Sequence, residues 1–149
     1  MSSPEGSSVT FRRVPQDVRP RAIQLFARKL QRDLAKGRPF DTLITGDAEL
    51  QRLNRDYRGK DYATDVLSFP SEESDSRIGD LAISAARARA QARRFGHSTE
   101  VEIRILMLHG VLHLTGLDHE TDSGAMARAE KRWRARLALP NGLIERVQS

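Results

Sequence analysis

The sequence predicts a single α/β (α+β) domain in which a small four-stranded sheet packs with about five helices. Four short runs rich in β-branched and aromatic residues alternate with segments of helical periodicity. One helical segment, about residues 100–115, is apolar on nearly every side and so belongs at the centre of the packing. The 149-residue chain is long enough to bury one core, and it shows no repeat, linker or domain boundary. The expected organisation is a flexible tail over residues 1–8 and one domain over 9–149.

Taken in order, residues 9–14 alternate well enough for a first strand. Residues 19–36 put Ala22, Ile23, Phe26, Ala27, Leu30 and Leu34 on one stripe, an amphipathic helix that Gly37 and Pro39 end. Its basic residues lie mostly off that stripe, on a solvated face. Residues 40–45 form a second strand closed by Gly46, and Asp47 is placed as N-cap of a short helix to about residue 57. Residues 66–69 make a third strand that Pro70 stops, as suits an edge. After a short acidic loop, residues 78–84 make the fourth.

Ser84 is placed as the cap of a helix over 85–95, which Gly96 ends. Thr99 and Glu102 have the spacing of a capping box for the apolar helix that follows. A last helix spans residues 123–137, with Met126, Ala129, Trp133 and Leu137 turned to the core.

The formal net charge is +5 and the sequence pI about 10.2, which is compatible with a polyanionic partner. Arginine greatly outnumbers lysine, a bias that base composition alone can produce, so the charge carries little weight by itself. The absence of cysteine excludes disulfides and thiolate metal sites. The N-terminus lacks the pattern of a signal peptide, and the longest apolar stretch is too short to span a membrane. A soluble, cytoplasmic protein is expected.

Function is concentrated in His109-Gly-Val-Leu-His113-Leu-Thr-Gly116-Leu-Asp118-His119, which holds three of the chain's four histidines. On a helix, His109 and His113 project from one face, about 6 Å apart along the axis. A straight continuation would carry His119 away from them. Gly116 can take the left-handed conformation that ends a helix, letting the chain double back. Three imidazoles with a fourth position open suit a catalytic zinc ion, one per chain. The metal-binding helix is then the central one. The spacing is also that of the metzincin proteases, but Gly110 stands where those enzymes carry their glutamate base.

This motif, with Leu53-Asn-Arg-Asp-Tyr-Arg58-Gly-Lys60 running into Thr64-Asp65-Val-Leu-Ser-Phe-Pro70, resembles the bacterial YbeY-type rRNA maturation endoribonucleases. Gly79-Asp80 and Gly96-His97-Ser98 also sit where that family has such elements, and the resemblance runs from about residue 43 to 137. It implies a small mixed sheet and a metal-dependent, single-strand-specific endoribonuclease. The implied role is maturation of small-subunit rRNA and ribosome quality control, with single-stranded RNA and small-subunit components as partners. His109, His113 and His119 match the family's metal ligands, usually assigned to zinc. Arg58 matches its functionally important arginine, set across the cleft. Leu117 departs mildly, where an aromatic residue is common.

Beside that resemblance, a metal there can polarise a phosphoryl oxygen, and Arg58 can clamp developing charge through its planar fork. With no glutamate base at position 110, the water-bound metal itself, the RNA 2′-hydroxyl as internal nucleophile and Asp118 are left to be considered. Asp118 is otherwise placed behind a ligand imidazole as its orienting partner. Lys60 is placed near phosphate, and His97 as a structural or capping residue. Two other readings stay open: a zinc hydrolase of another substrate, and a non-catalytic ribosome assembly factor with a structural zinc.

Overall fold

The computed structural model describes residues 6–72, 74–117, 123–141, 143 and 146. Four strands and five helices follow one another as β1 (Ser8–Phe11), α1 (Pro20–Asp33), β2 (Phe40–Thr45), α2 (Asp47–Arg58), β3 (Val66–Pro70), β4 (Gly79–Ser84), α3 (Ala85–Phe95), α4 (Thr99–Leu114) and α5 (Ala125–Arg136). The sheet order is β1-β2-β4-β3. β1, β2 and β4 run parallel, and β3 pairs antiparallel with β4 at the edge. The sheet is therefore mixed.

Alternation along the strands divides the sheet into two faces. Phe40, Ile44, Leu81 and Ile83 join one large cluster with Ile23, Phe26 and Leu30 of α1, the apolar residues of α4, and Met126 and Ala129 of α5. Leu67 and Ala82 turn the other way and meet Leu50 of α2. Thus α1 and α4 cover one face and α2 the other. Helix α4 is buried along nearly its whole length, from Ile103 to Leu114. Each large apolar side chain buried there contributes about 1.5–3 kcal/mol. That is why an all-round apolar helix occupies the centre.

Several local expectations are corrected by tertiary partners. Gly46, not Asp47, is the N-cap of α2, because the Asp47 carboxylate accepts from Ser84 Oγ and Arg87 instead. Ser98 caps α4 through Val101 N–H, and Glu102 does not close a box. Its carboxylate, fully buried, faces His97 Nε2 at 2.6 Å and takes a two-pronged contact from Arg146 at 2.7 and 2.9 Å. Charge-assisted bonds of that kind outcompete a lone backbone N–H. Ser84 does cap α3, accepting from Arg87 N–H at 3.2 Å.

β1 stops at Phe11 because the N–H groups of Arg12 and Arg13 both turn to the Ile44 carbonyl. α1 ends at Asp33, short of the predicted residue 36, where Lys36 and Gly37 both take positive φ. At its start, the Glu100 carboxylate of α4 accepts the Arg19 backbone N–H at 2.9 Å and does the work of a side-chain cap. The end of the predicted tail is held too. Ser7 is fully buried, and its hydroxyl accepts from Phe40 N–H at 3.0 Å.

Candidate metal centre

His109 and His113 lie one turn apart on α4, with ring centroids 4.8 Å apart and ring planes at 75°. The next residue, Gly110, presses on the sheet, its carbonyl accepting from Ser68 Oγ of β3 at 3.2 Å. Since helical residues step by about 100°, the histidine face is turned that far from the line where α4 meets the strands. His109 is buried and His113 half-buried. The helix then closes as the sequence predicts. Gly116 has φ +99°, and its N–H reaches the His113 carbonyl at 2.9 Å. His119 and Asp118 lie outside the described residues.

A residue missed in the sequence completes the local geometry. Glu130 of α5 is 1% exposed. Its Oε2 lies 2.8 Å from His109 Nδ1. An ionised carboxylate only accepts, so beside it a neutral His109 would donate from Nδ1 and leave its lone pair on Nε2. A signal was available: Glu130 is four residues after Met126 and three before Trp133, inside the apolar stripe of α5. A carboxylate on a core-facing stripe marks a buried partner.

Arg58 is the last residue of α2 and is exposed. Gly59 follows at φ +69°, the left-handed conformation that ends the helix. The loop is pinned by buried Asn54, whose carbonyl accepts Lys60 N–H at 3.2 Å and whose amide donates to the Tyr62 carbonyl at 2.9 Å. Among the described residues, the Arg58 and Lys60 side chains make no ion pair or hydrogen bond. Helices α2 and α4 pack on opposite faces of the sheet and both lie against the edge strand β3, with Arg58 at the C-terminal end of α2. Asp65, in the same motif, is structural: it accepts from Val66 N–H and from the Gln91 amide, tying β3 to α3.

A cavity of about 550 Å³ opens on the α2 face, lined by Thr10, Arg12, Leu43, Tyr57, Phe69 and Asp80 among others. It lies across the sheet from the histidines and is no part of their site. Asp80 titrates above the ordinary carboxylate range there, through partial burial first and then the neighbouring Asp41 charge, against which Arg77 pulls it down.

Among the described residues, no three His, Cys, Asp or Glu side chains gather as a metal cluster. The two described imidazoles nevertheless fit a zinc ion in their chemistry. They are adjacent nitrogen donors, and one has a carboxylate on its far nitrogen, the pattern that orients zinc-binding histidines.

Comparison with known proteins gives a consistent picture. The family described as Endoribonuclease YbeY matches residues 11–138. An Endoribonuclease YbeY of Solibacter usitatus is 72% identical over 149 residues, covering 100% of both chains. One from Koribacter versatilis is 46% identical over 130 residues, covering 87% of this chain and 85% of the relative. The solution structure of TM1509 from Thermotoga maritima superposes with a TM-score of 0.58 at 25% identity, over 87% of this chain and 92% of that one.

Proposed function

The chain belongs to the YbeY endoribonuclease family, and on that premise we propose that it is a zinc-dependent endoribonuclease cutting single-stranded RNA. Its place is in maturation of the small-subunit rRNA 3′ end and in ribosome quality control, among small-subunit components in the cytoplasm. Among the described residues, no helix is long and apolar enough to cross a membrane. The observation that carries the reading is the His109–His113 pair with a buried carboxylate behind it, in a chain of this family.

His109, His113 and His119 would hold the zinc. When bound, zinc supplies a Lewis acid that offsets charge on the phosphoryl group. The chain's own residues do the rest. Arg58, exposed at the C-terminal end of α2 beside a loop that Asn54 holds in place, binds phosphate through its fork and stabilises the added charge of the transition state. Lys60 adds a second phosphate contact at the same loop. Asp118 is assigned to orient a ligand imidazole. No carboxylate is needed at position 110, because the nucleophile is either the RNA 2′-hydroxyl, which passes its proton to solvent, or a hydroxide that bound zinc would supply.

The test is metal-analysed protein incubated with labelled RNA carrying both a duplex and a single-stranded tail, beside a casein-like peptide. Cleavage of the tail, weaker cleavage of the duplex and an intact peptide are expected, with activity falling as salt rises. His113→Ala should abolish cleavage. Arg58→Ala should lower it about 10²–10³-fold with metal content unchanged, and Lys should restore only part. Metal-dependent peptide cleavage would overturn the substrate. Tight zinc binding without RNA cleavage would favour the assembly factor with a structural zinc.

A further inference from the structure

We propose that Glu130 is the positioning residue of the metal centre, fixing the tautomer and orientation of His109 and linking zinc binding to the docking of α5. The inference rests on the metal reading above and goes beyond it, to a helix that supplies none of the three ligands.

A carboxylate buried to 1% exposure is costly to desolvate unless it is paired. Most of α5 is arginine, lysine and alanine, and its buried residues are Met126, Ala129 and Glu130 alone. Placing a carboxylate there weakens the apolar contact of the helix, so a partner must repay it. His109 Nδ1, at 2.8 Å, is such a partner. With the carboxylate ionised and the imidazole neutral, the proton would sit on Nδ1 and the lone pair on Nε2, leaving Nε2 as the nitrogen open to a metal. The ring is also held on a second side, by the edge-to-face contact with His113 at 4.8 Å. His109 holding a metal at Nε2 would be a stronger donor at Nδ1, so zinc binding would tighten the bond to α5 on the other side of the ring.

Zinc affinity of the full chain, measured by competition with a chromophoric chelator, tests this with Glu130→Gln, Glu130→Met and His113→Ala. Glu130→Met should weaken zinc binding about 10–100-fold, and Glu130→Gln, which still offers an oxygen acceptor, by less. Both zinc-free variants should melt no lower in proportion, since methionine fills the buried space without a charge. In wild type held well above neutral pH without metal, nitrogen NMR should show the His109 proton on Nδ1. In Glu130→Met it should move toward Nε2. Zinc should slow amide exchange in α5 of wild type and do so less in Glu130→Met.

Failure of wild type to bind zinc overturns the metal reading and this inference with it. Zinc binding that is lost in His113→Ala but unchanged in both Glu130 variants overturns the inference alone. So does an affinity loss that only tracks the loss of apo stability. If Glu130→Met does not fold, affinity and tautomer in Glu130→Gln decide in the same terms.

Discussion

Gly110 and Leu81 stand so close that a Cβ at position 110 would lie 2.7 Å from Leu81 Cδ2, with Ser68 Oγ at 3.3 Å. Glycine there is what lets α4 press on β3 and β4. Position 110 points into the sheet and not along the histidine face, so a glutamate there would meet Leu81 and not the space beside the imidazoles.

Gly110→Ala should therefore be destabilising although alanine favours helices. Overpacking costs about 1–3 kcal/mol and the helix gains about 1 kcal/mol, which leaves a net loss of about 1 kcal/mol. Chemical denaturation measures it, and Leu81→Val in the same chain should recover part of the loss. Additive effects of the two changes would mean that the contact is not what constrains position 110.

Gly79 is tighter still. Its φ is +150°, and a Cβ would meet the Phe69 carbonyl oxygen at 2.5 Å and Leu114 Cδ2 at 2.7 Å. Backbone cannot yield as a side chain can, so Gly79→Ala should cost about 3 kcal/mol or more and loosen the β3–β4 hairpin against α4. A loss below about 1 kcal/mol in denaturant titration would contradict the geometry.

Glu100 links α4 to the start of α1, and its carboxyl is held below the ordinary range, first by the hydrogen bond from Arg19 and against the pull of burial. A depressed carboxyl contributes stability that is present above its unfolded pKa, about 4.3, and lost as pH falls through the lower folded value. The melting temperature of Glu100→Gln should lie below that of wild type at neutral pH. The gap should close as pH falls below about 4. A gap independent of pH would assign the effect to packing.

Asp80 has the opposite sign. Burial and Asp41, its neighbour across β2 and β4, raise its pKa. The folded state then holds the proton more tightly than the unfolded chain, so the charged form opposes folding at neutral pH. Asp80→Asn should stabilise by about 0.5 kcal/mol, a modest gain because the side chain reaches solvent. The gain should shrink as acid protonates Asp80 in the wild type. Thermal melts across the acid range check both points.

The sequence determined whatever depends on neighbours along the chain. Stripe and alternation put Ile23, Phe26 and Leu30 inside, because side-chain direction follows from local dihedrals, and Pro70, which cannot donate to a ladder, marked Val66–Pro70 as an edge. The four-residue step placed His109 beside His113, and Gly116 ended the helix with positive φ, for the same reason. Tertiary structure alone decided what each polar group met. Glu102 left its expected box for His97 and Arg146, Asp47 gave up the cap for Ser84, and Glu100 capped a helix 81 residues away. Glu130 reached His109 only because α5 docks on α4. A buried charge takes the strongest partner that folding brings within reach, and that partner is fixed by topology, which no local spacing encodes.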